Sequence, residues 1–112
     1  MSSGPMTGVR VVEITHAHAG PWGGGIMGDL GADVIKVESP NGGDRTRRGG
    51  AQRDGKYGYK FMGINRNKKS LAIDLSSYAG LAVMYKLLER SDVFYNNLRP
   101  DTVNKLKLSY ED

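Results

Sequence analysis

Four short runs of β-branched and apolar residues, separated by segments with helical or glycine-rich character, hold this chain to a parallel α/β architecture. Residues 9–14 (VRVVEI) read as a buried strand. Residues 34–38 (VIKVE), 70–75 (SLAIDL) and 92–96 (DVFYN) supply three more. Between the first two, Pro21 suits the first turn of a helix, where a missing N–H is not needed. Trp22, Ile26, Met27 and Leu30 would give that helix its apolar face, and Gly31 suits the residue beyond its last turn. Between the third and fourth runs, Ser76 or Ser77 can cap a helix whose Leu81, Met84, Leu87 and Leu88 recur at helical spacing. Strand–helix–strand units of this length predict parallel pairing through right-handed crossovers. Residues 102–108 read as a further helix or turn, and residues 1–8 as a flexible tail.

Only three or so such units fit in 112 residues. The expectation is therefore an incomplete sheet that relies on further chain or on a partner subunit, with a small complete domain as the alternative. The chain has no cysteine, which excludes disulfides and cysteine-ligated metal. His16 and His18 lie close together without a third ligand group nearby, so no metal site is expected. No apolar run approaches membrane-spanning length, and the first residues lack the basic-then-apolar order of a signal peptide.

The net charge of +4 is concentrated. Arg45, Arg47, Arg48, Arg53, Lys56, Lys60, Arg66, Lys68 and Lys69 fall in residues 39–69, a long basic loop rich in Gly, Arg and Asn. Such a stretch can attract nucleic acid, a phosphate-bearing cofactor or an acidic substrate, or can simply be solvated. Tyr57, Tyr59 and Phe61 interleave it, but no zinc-finger spacing or basic region feeding heptads accompanies them, so nucleic acid is not the expected partner.

Gly23, Gly25 and Gly28 spell G-x-G-x-x-G, the dinucleotide-binding pattern. Here residues 15–22 separate the first glycine from the strand, where a tight turn would be required. Glycines inside a helix would instead let another backbone pack closely. The loops after the strands, at residues 16–21, 39–44 and 96–100, should converge at the carboxyl edge of the sheet, where open parallel sheets bind ligands.

Four stretches, GVRVVEITHAHAGPW, GDLGADVIKVESPNGGDRTR, NRNKKSLAIDL and RSDVFYNNLRPDTVNKLKLSYED, together resemble the family III coenzyme A transferases. That group includes formyl-CoA transferase, the carnitine CoA transferases and α-methylacyl-CoA racemase. The resemblance implies a Rossmann-like CoA-binding domain within a longer protein of the cytosol, mitochondrion or peroxisome. It also implies a homodimer of two interlocked subunits, or a second subunit that completes a shorter chain. The implied substrates are a CoA thioester and a carboxylic acid, with no tightly bound cofactor. CoA would pass between them through an aspartyl anhydride and an aspartyl-CoA thioester. The racemase branch instead abstracts an α-proton. In both branches the implied catalytic residues lie outside this chain, so none of Glu13, Asp29, Asp33, Asp74 or Asp92 is nominated. Carried over by position, the implied CoA contacts are His18 and Ala19 at the adenosine end, the run Ile73, Asp74, Leu75 and Ser76 near the adenine, the loop Asn97, Leu98 and Arg99, and Lys105. Ser39 and Ser76 stand where members of the family carry Arg and Lys. Lys105 stands where Arg is usual, which keeps the charge but not the planar fork.

Overall fold

In the computed structural model the described residues are 3–53 and 57–112, those at 52 and 53 by backbone alone. Met1, Ser2 and Lys56 lie outside them. The strands are β1 (Arg10–Ile14), β2 (Asp33–Glu38), β3 (Gln52–Arg53), β4 (Tyr57–Gly58), β5 (Lys68–Ala72) and β6 (Val93–Asn96). The helices are α1 (Ala19–Asp29), α2 (Tyr59–Ile64), α3 (Tyr78–Leu88) and α4 (Pro100–Lys105), with a 3-10 turn at Arg45–Arg47. The main sheet runs in the order β5-β2-β1-β6, and every pairing in it is parallel.

The first, second and fourth strands stand where sequence places them. The third does not: it covers Lys68–Ala72, so residues 73–75 leave the sheet. Ile73 N makes a last bond to Glu38 O (2.9 Å), after which Asp74 Oδ1 accepts from Ser76 N (3.0 Å) and closes a turn. Ser77 then caps α3 by accepting from Gly80 N at 3.0 Å. Among its described residues the long basic stretch also has more regular backbone than a loop. It contains the 3-10 turn, the antiparallel β3–β4 pair, α2 and the start of β5.

Alternation along β1 assigns the two faces of the sheet. Val12 and Ile14 join Val37, Ile73, Met84 and Leu108 in the core under α3 and α4. Glu13 and Val11 point to the other face, under α1.

Of the expected apolar face of that helix only Met27 packs inward, against Val11, Ala32 and Val34. Trp22 is 57% and Ile26 45% exposed, and Leu30 is exposed as well. The buried residues are Gly20, Pro21, Gly24, Gly25 and Gly28. Gly25 and Gly28 face the backbone of Ile64 and residue Asn67 so closely that a Cβ at either would crowd them. Glycine here serves close packing, which a count of apolar side chains does not register. Gly31 takes φ +102°, as the residue after the helix requires.

The residues expected to form the tail make bonds from Gly4 onward. Met6 N donates to Leu30 O (2.9 Å), and Thr7 Oγ1 accepts from Gly4 N (2.8 Å), which closes a turn against the end of α1.

Candidate functional site at the carboxyl edge of the sheet

Because the strands are parallel, the loops after β1, β2, β5 and β6 all emerge at one edge. The first and last of these are locked together. Asn97 Oδ1 accepts from His16 N, and Asn97 Nδ2 donates to His16 O, each at 3.0 Å. These two loops flank the β1/β6 boundary, where the strand order reverses and open α/β sheets form their ligand crevice.

Two hollows lie on either side of the β1 loop. A groove of about 320 Å³ is lined by His16, Ser39, Asn41, residues 73–76, Leu98, Thr102 and Leu106 over a floor of Ile14, Val37 and Glu38. A second hollow of about 270 Å³ is lined by His18, Arg45, Thr46, Gly49, Gly50 and Lys60.

Of the residues expected from sequence, the groove brings together Ile73, Asp74, Leu75, Ser76 and Leu98. Asn97 stands beside it, its amide committed to His16. His18 lines the second hollow, two residues along from His16, and Ala19 begins α1 next to it. Arg99 precedes α4 and Lys105 ends it; both are exposed, and neither lines the groove.

Beneath the loops lies a buried charged cluster. Lys36 Nζ donates to Asp44 Oδ2 (2.8 Å) and to Asn65 Oδ1 (3.0 Å), and sits 3.7 Å from Glu13 Oε2. Lys68 Nζ donates to that same Glu13 oxygen (2.8 Å), to Asn65 Oδ1 (2.9 Å) and to Pro21 O (2.7 Å). Two ammonium groups thus face two carboxylates, so the charges cancel where water is excluded, as burial requires. Glu13 Oε1 is buried without a partner among the described residues. Asp44 Oδ1 accepts from Thr46 N (2.9 Å), Thr46 Oγ1 (2.8 Å) and Ala17 N (3.3 Å). Asp44 N in turn donates to Glu38 Oε2 (2.7 Å), and Arg47 grips both oxygens of Glu38 at 2.8 and 2.7 Å.

The electrostatics follow from these contacts. Burial opposes ionisation of Asp44, but the Lys36 ammonium and the Thr46 donors outweigh it and hold the carboxyl at about 2. Burial likewise pushes Glu38 up, while Arg47 and the Asp44 amide bring it below its ordinary value. Burial lowers Lys68, with Glu13 opposing. Asp44 and Glu38 are therefore ionised near neutrality and saturated with donors, which suits them to holding loops rather than to exchanging protons. Asp44 joins the loops after β1 and β2, and Lys68 ties the start of β5 to α1 through Pro21 O.

Residues 6–112 match the family model described as CoA-transferase family III. The chain belongs to that family. It is 39% identical over 113 residues to succinate–glutarate CoA-transferase of Agrobacterium fabrum, covering 96% of this chain and 28% of that protein. It is 39% identical over 108 residues to human succinyl-CoA:glutarate CoA-transferase, covering 96% and 25%. Among solved structures, a CAIB/BAIF family protein from Brucella suis superposes with a TM-score of 0.87 at 38% identity, over 96% of this chain and 29% of that one. The chain thus spans about a quarter of the length of the curated relatives it matches.

Sequence reasoning about the family III residues missed Glu13, Lys36, Asp44, Asn65 and Lys68 as one unit. Its members come from three strands and two connections, so no local spacing announces them. A usable signal was present: Glu13 and Lys36 each interrupt an otherwise apolar, doubly covered strand, and opposite charges in such positions call for partners.

Proposed function

We propose that this chain forms part of the CoA-binding face of an acyl-CoA:carboxylate CoA-transferase. The observation that carries this reading is the carboxyl-edge groove, which gathers residues 73–76 and Leu98 in a chain of CoA-transferase family III. Asn97 and Arg99 adjoin Leu98 and Lys105 adjoins Leu106 of its lining, and His18 and Ala19 lie across the His16 loop, where this reading puts the acyl end of a bound thioester in place of the adenosine end that the resemblance implies.

In the whole protein an aspartate outside these residues attacks the thioester carbonyl and expels CoA thiolate, leaving a mixed anhydride. The thiolate returns to the aspartyl carbonyl, releases the first acid and leaves an aspartyl-CoA thioester. The incoming carboxylate attacks that thioester to give a second anhydride, and the thiolate then attacks the new acyl group and frees the aspartate. Each step exchanges one acyl–heteroatom bond for another, dividing one difficult transfer into easier ones. The relatives named for succinate and glutarate support small dicarboxylic acids as the exchanging acids.

A homodimer of interlocked subunits, or a second subunit completing this chain, accounts for the open faces. The chain exposes 7078 Å², against about 6,100 Å² for a typical monomer of its mass. The exposed Trp22 and Ile26 contribute to that excess.

The test is exchange of labelled CoA between succinyl-CoA and a free acid by a protein of the relatives' full length that carries this sequence. Net exchange supports the reading. Racemisation of a 2-methylacyl-CoA without exchange would transfer the protein to the racemase branch. This chain alone should bind CoA without turnover.

A further inference from the structure

The hollow beside His18 has a composition that the CoA groove lacks. Arg45 enters it from the 3-10 turn and Lys60 from the first turn of α2, with His18 opposite on the β1 loop. No carboxylate lines it among the described residues. Elsewhere the cations of this region are matched: Lys36 with Asp44, Arg47 with Glu38, Lys68 with Glu13, and Lys69 with Asp33. The Arg45 guanidinium and the Lys60 ammonium have no ion-pair or hydrogen-bond partner among the described residues, and both are exposed to the hollow. Two positive charges facing one concave space repel each other unless an anion lies between them.

The walls are fixed from beneath. Asp44 Oδ1 binds Ala17 N, one residue before His18, and both the amide and hydroxyl of Thr46, one residue after Arg45. One buried carboxylate therefore sets the separation of two walls. The third wall is held by Phe61, next to Lys60, whose ring centroid lies 4.0 Å from the Arg47 guanidinium carbon and 5.9 Å from Lys36 Nζ. The cations project from a backbone frame that does not depend on them.

We propose that this hollow is the acid-specificity subsite: Arg45 and Lys60 hold the free, non-reacting carboxylate of a dicarboxylic acyl group. The inference rests on the transferase reading above and adds the residues by which this chain selects the acid. A volume of about 270 Å³ has room for a short dicarboxylate. The loop that separates the two hollows carries His16 on the groove side and His18 on this side. A thioester running over that loop would leave its nucleotide in the groove and its acyl end between the cations.

The experiment titrates the purified chain with glutarate, pentanamide, inorganic phosphate and CoA, followed by backbone amide NMR shifts. Glutarate should saturate with shifts at residues 17–20 and 45–50, while pentanamide, equal in length with no carboxylate for the cations to hold, binds roughly ten-fold more weakly or worse. Arg45→Met and Lys60→Met, which keep the stems, should each cost glutarate about ten-fold and leave CoA shifts at residues 73–76 unchanged. Lys60→Arg should restore binding in large part. Equal binding of pentanamide and glutarate, or glutarate binding insensitive to both Met variants, overturns the proposal. Phosphate binding there more tightly than glutarate would assign the subsite to a phosphate of CoA and equally overturn it. Absence of CoA shifts at residues 73–76 would instead count against the transferase reading, so the two failures are separable.

Discussion

Lys68 Nζ on β5 donates to Glu13 Oε2 on β1 at 2.8 Å, although β2 lies between those two strands in the sheet. The bridge is made over the face that α1 covers, and Lys36 of β2 stands under it, 3.7 Å from the same oxygen. Neither lysine has an alternative partner in water, since their side chains are 3% and 2% exposed.

Removing one member should therefore be costly. Lys68→Met leaves Glu13 short of a counter-charge and Asn65 Oδ1 short of a donor. A loss of about 3 kcal/mol is expected for breaking a buried pair from one side. Pairing it with Glu13→Gln should recover part of that loss, because no uncompensated charge then stays buried. Urea unfolding of both single variants and the double variant measures the coupling. Additive losses would mean that the two residues do not act as a pair.

Acid should loosen the carboxyl edge. The folded value of Asp44, about 2, lies below that of an unfolded aspartate. Its contribution is thus fully present above about pH 4 and is lost as pH falls through the folded value. The difference is on the order of 2 kcal/mol. Glu38 is depressed as well and acts in the same direction. Unfolding free energy measured between about pH 5 and pH 2 should fall more steeply for the unaltered chain than for Asp44→Asn, which is less stable at neutral pH.

The strand framework was legible because β1, β2 and β6 are β-branched runs, and Ser77 and Gly31 are residues that helix ends select by local chemistry. The register of β5 was not, since the run at 70–75 is apolar but its first two paired residues are Lys68 and Lys69. What brings them into the sheet is non-local: Lys68 reaches Glu13 and Lys69 reaches Asp33 at 2.7 Å. The inner face of α1 was illegible for a related reason. Periodicity selects Trp22, Ile26 and Leu30, whereas the approach of Ile64 and Asn67 demands the absence of side chains. At the site, the converging loops followed from parallel topology. The pairing of His18 with Arg45 and Lys60 around one hollow depends on the path of residues 39–64, which no short-range pattern encodes.

The glycine face of α1 makes its own prediction. A Cβ at Gly24 would overlap Glu13 Oε1, a buried oxygen of the charged cluster. Gly24→Ala gains about 1 kcal/mol of helix propensity, but should still destabilise the chain by roughly 1–3 kcal/mol through forced displacement of that carboxylate. Gly63, inside α2, has open space around the same position. Gly63→Ala should therefore stabilise by about 0.5–1 kcal/mol. Thermal unfolding of the two variants should move in opposite directions, and destabilisation by both would show that helix packing around α1 is not the cause.

The CoA reading predicts a gain as well as losses. Ser39 and Ser76 line the same groove, on the loops after β2 and β5, at positions that the resemblance to family III matches to Arg and Lys in some members. Ser39→Arg and Ser76→Lys would each place a cation at the mouth of a groove meant for a phosphate-bearing ligand. Neither change dismantles its loop. Ser39 contributes one bond, accepting from Asn41 N at 3.1 Å, and Asp74 keeps the Ser76 backbone amide when the hydroxyl is lost. An exposed charge-assisted contact sits at the lower end of its range, about 1.5 kcal/mol, so CoA should bind roughly ten-fold more tightly to either variant. Pantetheine, which has no phosphate, should bind as before, and the gain should shrink with added salt because the new contacts are solvent-exposed. Calorimetry with CoA and pantetheine at two ionic strengths separates these contributions. If neither variant strengthens CoA binding, the phosphates lie away from the groove mouth, and the nucleotide must follow the Arg99 and Lys105 side of α4 instead.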